Sequence, residues 1–295
     1  MSILRPRRAR GLLLAGCLLV LAACDGGDGA ASETALPVVA LEEDPGLEHV
    51  HGLGINPADD LLYVATHYGL WRVADDGRAE RVGDHYLDLM GFAVLGPDHF
   101  VASGHPPLSD ELPTHLGLIE TTDAGETWEP VSLLGEADFH ALRAAHGRIL
   151  GWDTVSGQLL VSDQGREWEA RGEHAIFDVT VHPDEAEVLL ATTGLRPDAL
   201  HLERSADSGA SFDEMDGPAL TRLAWVEPRR LFGVGPDGRV HRSGDEGGSW
   251  EPVGEVGGLP EALLDTGERL YVAADRSLQV SEDDGETWQV LLDYH

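Results

Sequence analysis

From about residue 36 to its end, the chain is built of short apolar or alternating runs separated by Gly, Pro, Asp and Ser. Runs of this length, with period two or bounded by turn residues, predict β-strands. The stretch 219–253 is the clearest, with strands expected over 219–226, 230–234, 238–242 and 249–253. Glu227-Pro228 and Gly235-Pro236-Asp237-Gly238 supply the turns between them. No segment has a sustained 3.6-residue period, so the fold is expected to be all-β.

One turn recurs down the chain. It reads Thr121-Thr-Asp123-Ala-Gly125-Glu-Thr-Trp128, Val161-Ser-Asp163-Gln-Gly165-Arg-Glu-Trp168, Ser205-Ala-Asp207-Ser-Gly209-Ala-Ser-Phe212, Ser243-Gly-Asp245-Glu-Gly247-Gly-Ser-Trp250 and Ser281-Glu-Asp283-Asp-Gly285-Glu-Thr-Trp288. Val73-Ala-Asp75-Asp-Gly77 is a degenerate first copy without the aromatic. The six aspartates are 48, 40, 44, 38 and 38 residues apart, the length of a four-stranded propeller blade. Six markers predict a six-bladed β-propeller over residues 36–295. Asp bonding to nearby amides, Gly taking positive φ and an aromatic packing beneath give each copy a structural role. The twelve-residue ligand spacing of a calcium loop is absent.

The pattern resembles the Asp-box (BNR) repeat, Ser-x-Asp-x-Gly-x-x-Trp, of sialidases, other glycoside hydrolases and sortilin-type receptors. The resemblance implies that the box lies between the third and fourth strands of each blade, away from the ligand face, so the motif identifies a fold and leaves the activity open. His49-Val-His-Gly-Leu-Gly, Ala65-Thr-His-Tyr-Gly-Leu, Gly104-His-Pro and Glu136-Ala-Asp-Phe-His look like segments of short exported bacterial Asp-box proteins labelled glycosyl hydrolase. The sialidases' Phe/Tyr-Arg-Ile-Pro segment and arginine triad are not recognisable here. The resemblance therefore implies glycoside chemistry in general rather than sialidase activity.

The N-terminus carries a different signal. Arg5, Arg7, Arg8 and Arg10 precede an apolar run over 12–23, too short for a stable membrane span, which predicts an export leader over 1–23. Leu21-Ala22-Ala23-Cys24 resembles a lipoprotein lipobox, which implies lipidation of Cys24, anchoring to the outer face of the bacterial cytoplasmic membrane and a flexible tether over 24–35. Cleavage would leave one cysteine, so no intrachain disulfide is expected.

The chain carries 53 Asp plus Glu against 20 basic residues, a net charge of -33, and it contains no lysine. Such a charge repels phosphate backbones and anionic headgroups, which argues against nucleic acid and leaves the lipid anchor as the only membrane contact. Without lysine there is no Schiff-base chemistry.

A propeller presents ligands with the starts of its inner strands and the loops joining second to third strands. His49 and His51 fall at the first inner strand, where residues two apart share a face. His67 falls in the loop of blade one, His105 and His115 on a long insertion of blade two, and His140 at the start of blade three. Histidines combined with carboxylates bind Zn or Cu, transfer protons or recognise sugar hydroxyls. His49, His51, His67, His105 and His140 are the candidate metal ligands. The ligand-binding set is His51, His67, His105, His140 and Trp152, the last beside Asp153 in an expected loop. The plainer alternative, that these histidines close strand ends, stays open. Only three methionines argue against a soft Cu(I) site.

Glycosidases divide their work between two carboxyl groups. Asp88, Asp138 and Asp178 occupy equivalent inner-strand positions, with Asp110, Glu111 and Asp153 on loops; Asp138 and Asp178 are the expected catalytic pair. The reading that leads is a monomeric, lipid-anchored propeller that binds or hydrolyses a glycan. Its alternative is a non-enzymatic metal-binding or protein-interaction scaffold with a cell-surface protein as ligand.

Overall fold

The structure, a computed structural model, describes residues 35–38, 41, 43–107 and 112–294. The expected leader, Cys24, all but the last residue of the tether, Asp110 and Glu111 lie outside them. Twenty-four strands form six four-stranded antiparallel sheets. Blade one is β1 (Val50–Ile55), β2 (Leu62–Thr66), β3 (Gly69–Val73) and β4 (Ala79–Val82). Blade two is β5 (Asp88–Gly96), β6 (His99–His105), β7 (Leu118–Thr121) and β8 (Glu129–Ser132). Blade three is β9 (Phe139–Ala145), β10 (Arg148–Asp153), β11 (Gln158–Ser162) and β12 (Glu169–Glu173). Blade four is β13 (Ile176–Val181), β14 (Leu189–Thr193), β15 (His201–Ser205) and β16 (Asp213–Met215), with a 3-10 turn at Pro197–Ala199. Blade five is β17 (Arg222–Glu227), β18 (Arg230–Val234), β19 (Arg239–Ser243) and β20 (Glu251–Glu255). Blade six is β21 (Pro260–Asp265), β22 (Leu270–Ala274), β23 (Ser277–Ser281) and β24 (Gln289–Asp293).

Within every sheet the strands pair in chain order, and β1, β5, β9, β13, β17 and β21 pack side by side in a closed ring around the axis. The expected six-bladed propeller is the fold. In blade five the second strand falls on its predicted residues and the other three start one to three residues later than the apolar pattern suggested.

The repeated turns join third to fourth strands. At Asp123, Asp207, Asp245 and Asp283 they share one network: the Ser or Thr two residues earlier donates to the Asp carboxylate, and its oxygen accepts the Asp and Gly amides. The Ser or Thr four residues later donates both its amide and its hydroxyl to the same Asp. Asp163 and Asp75 depart from the expected role. In blade three Val161 and Glu167 replace the two hydroxyl residues, and Asp163 turns outward toward Arg148, 3.3 Å away. In blade one the turn is closed by Asp76 and the Gly77 amide, while Asp75 pairs with Arg269 of blade six at 3.0 Å.

The turn aromatics pack between blades. Trp128, Trp168, Phe212, Trp250 and Trp288 each join the apolar cluster of the preceding blade. The glycine of the turn lets the backbone approach: a Cβ on Gly125, at φ +99°, would lie 2.5 Å from Leu70 of blade one. Blade one has no such aromatic to offer blade six. That seam is filled by Val50, Leu62 and Val64 against Ala262, Tyr271, Ala273 and Tyr294.

Candidate functional site

A cavity of about 830 Å³ runs along the axis, lined by residues of all six inner strands. β1, β9 and β21 each carry a register shift near their first residues, which leaves His51, His140 and Glu261 outside the ladder. A β-bulge bends its strand and re-aims the extra side chain. His51 and His140 line the cavity as a result.

Two His-carboxylate-His groups stand on this face. The first unites His51, His67 of the β2–β3 turn, and Asp88 at the start of β5, their donor atoms all within 4.8 Å of one another. Asp88 Oδ1 is 3.2 Å from His51 Nε2, and Asp88 Oδ2 is 3.0 Å from His67 Nδ1. His51 Nε2 and Asp88 Oδ1 are buried and face each other without the alignment of a hydrogen bond. Burial holds the His51 imidazole below its ordinary pKa despite the opposing pull of Asp88. A neutral imidazole is the form that ligates metal.

The second group repeats the first in part: His105 at the end of β6 and Asp138 just before β9 stand one blade on from His67 and Asp88, while His140 comes from the inner strand that Asp138 leads into. Asp138 Oδ2 lies 2.8 Å from His140 Nε2 and 3.4 Å from His105 Nε2, and it accepts a 2.7 Å bond from the Thr154 hydroxyl. Asp138 Oδ1 is buried with no hydrogen-bond partner. Burial pushes this carboxyl up, but His140, Thr154 and His105 together bring it below the usual range. His105 Nδ1 is 3.0 Å from the Thr114 carbonyl, a contact that fixes the tautomer and leaves Nε2 toward the cluster. Two imidazoles and one carboxylate form a three-ligand set of the kind that holds Zn or Cu with a coordination position left for a ligand.

The remaining predicted residues fall elsewhere. His49 precedes β1 with φ 44°, so strand alternation does not govern it; its ring is 4.8 Å from that of His51, but its Nδ1 faces Glu261 at 3.6 Å. That carboxylate raises the His49 pKa. His115 stacks near His105, with ring centroids 5.4 Å apart.

Asp178 is buried and fully engaged. It accepts from Arg143 at 2.5 Å and from the amides of Val179 and Leu223 at 2.9 and 2.8 Å, tying blades three, four and five together. Trp152 lies within β10, one residue before its end, rather than in a loop. Its indole N–H donates to the His174 carbonyl at 2.7 Å while the half-buried ring lines the cavity. Asp153 is consumed by its own turn, bonding the amides of Asp138, Val155 and Ser156.

Sequence reasoning missed Asp88 as a partner of His51 and His67, and missed Thr154 and Glu261 at the mouth. The Asp88 pairing crosses a blade seam, and the only sequence cue was its equivalence to Asp138.

No protein-family model and no curated protein matches this sequence. Among solved structures it is similar to a chain of the nidogen–laminin complex, with TM-score 0.63, 12% identity and coverage of 80% of this chain and 93% of that one. It is also similar to the GH74 enzyme of Niastella koreensis, with TM-score 0.60 and 14% identity over 88% of this chain and 47% of that one. A third likeness is to YCF48 bound to D1 peptide, with TM-score 0.51 and 16% identity over 86% and 88% of the two chains. The chain spans about half the length of the GH74 enzyme. At these identities the likeness is one of fold.

Proposed function

We propose that this protein is an exported, lipid-anchored propeller of the Asp-box group whose channel mouth binds divalent metal ions, Zn or Cu, at two sites. The observation that carries the reading is the presence of two His-carboxylate-His sets on one face, the second with a buried Asp138 Oδ1 that no protein group bonds. A buried polar atom without a partner costs free energy, and a cation between the three donors would satisfy it. Residues 51, 67 and 88 would hold one ion, and residues 105, 138 and 140 the other. When bound, each ion would supply Lewis-acid character at the mouth. Equilibrium dialysis and elemental analysis of protein purified without an affinity tag test this. Two ions per chain are expected, and a stoichiometry near zero removes the reading.

The same face also supports a second reading, glycan binding or hydrolysis. Trp152, held by its indole N–H with its ring toward the cavity, is suited to stack on a sugar. Of the two carboxyl groups expected to act in hydrolysis, Asp138 is the one beside cavity-lining histidine, whereas Asp178 is spent on Arg143 and two amides. A glycan array and a glycoside screen decide it: turnover that disappears in Asp138→Asn supports hydrolysis, and binding without turnover leaves a recognition role. A protein ligand, of the kind named for the nidogen–laminin and YCF48 structures, is the outcome if neither glycan assay responds.

A further inference from the structure

Across the mouth from the two clusters stands Arg222, at the start of β17 in blade five. Among the described residues it is the one arginine that is neither exposed nor within ion-pair distance of a carboxylate. Its Nε donates to the Glu261 carbonyl at 2.5 Å and its Nη1 to the Thr221 carbonyl at 2.6 Å, and its guanidinium carbon lies 5.5 Å from the Phe177 ring centre. The nearby carboxylates are occupied elsewhere. Asp178 serves Arg143 and two amides, and Glu261 serves the Val50 amide, the Tyr294 hydroxyl and His49.

A guanidinium fixed by two main-chain carbonyls keeps Nη2 for another acceptor, and little side-chain freedom is left to lose when one arrives. In a chain of net charge -33, a half-buried cation whose nearby carboxylates, Asp178 and Glu261, bond to other groups offers an anion a charged donor. Leu53, Val94, Ala144, Val181, Leu263 and Trp225 give the cavity apolar surface beside polar groups such as Thr180 and Thr266.

We infer that Arg222 anchors the carboxylate of a small amphipathic acid whose apolar body lies in the axial cavity. The site uses no residue of the two clusters, although His51 and His140 line the same cavity. An acid of this class has one strong charge-assisted contact at its head and gains burial along its tail, whereas its neutral analogue has only the burial.

Octanoate and 1-octanol serve as probes, titrated into the full chain in the presence of EDTA and followed by calorimetry and by the fluorescence of the cavity tryptophans. Octanoate is expected to bind saturably and about tenfold or more tightly than octanol, the scale of one charged hydrogen bond. Arg222→Gln should lower octanoate affinity by a similar factor and leave octanol unchanged, with Arg222→Lys in between. Equal binding of the two probes, no saturable octanoate binding, or an unaltered affinity in a folded Arg222→Gln variant overturns the assignment. Should that variant not fold, the comparison of octanoate with octanol on the unaltered protein decides alone. Because metal is chelated throughout, failure here leaves the ion stoichiometry of the clusters untouched.

Discussion

Asp88 and His105 stand opposite each other in the β5–β6 ladder, yet their side chains serve different clusters. Directly paired residues on antiparallel strands have Cα atoms about 5 Å apart, so one strand pair carries a ligand for each site and holds the two at a fixed separation. Gly104 belongs to this arrangement: it sits at φ +143°, and a Cβ there would lie 1.9 Å from the Asp88 carbonyl oxygen.

The two clusters nevertheless share no residue. Asp88→Asn should lower the metal stoichiometry from two ions to one, and His140→Ala should remove the other ion. The double variant should bind none, as read by equilibrium dialysis. Loss of both ions from either single variant would mean that the clusters act as one site.

Trp128 is the largest fully buried side chain and fills the seam between blades one and two with Leu36, Leu70 and Val82. Trp128→Ala should destabilise the protein by about 3–5 kcal/mol, the cost of a large core truncation. Denaturant unfolding measures it, and a loss below about 1 kcal/mol would mean that the seam collapses around the gap.

The turn aspartates couple stability to pH. Hydrogen bonds from Ser211 and Ser205 hold the Asp207 carboxyl down at about 2, against an ordinary 3.8. A depressed folded-state pKa contributes stability that is present above the unfolded value and lost as pH falls through the folded one. Asp207→Asn should therefore melt below the unaltered protein at neutral pH, with the gap closing between about pH 4 and about pH 2. A gap independent of pH would show that charge has no part in the turn.

Blade three offers the converse test. Val161→Thr with Glu167→Thr restores both hydroxyl groups around Asp163, and the change at Val161 keeps the side-chain shape and one of its two methyl groups. Each hydrogen bond regained contributes about 0.5–1.5 kcal/mol net, so thermal melting should rise. An unchanged or lower midpoint would mean that Arg148 already satisfies Asp163.

The fold was legible because each blade repeats its own turn chemistry, and turns are local: Asp, Gly and two hydroxyl residues within eight positions close the network. Even its failures could be read, since Val161 and Glu167 are visible departures. The site was legible only in part. His51, His67, His105 and His140 stood out as imidazoles at strand starts and inter-strand loops. Which carboxylate joins which pair depends on how neighbouring blades stack, and Asp88 meets His51 and His67 across a seam. Bulges added a second obstacle, because one extra residue re-aims His51 and His140 against the alternation that strand periodicity assumes.

Among the described residues every blade is completed by four consecutive strands, and none borrows a strand from the opposite end of the chain. The first and last blades are therefore latched without a shared ladder, chiefly by Glu261 accepting the Val50 amide and by Arg269 against Asp75. A latch of this kind can part without unzipping any ladder. The circle would open there first under heat or tension, and relocating the chain ends to another crossing between blades would leave each sheet whole.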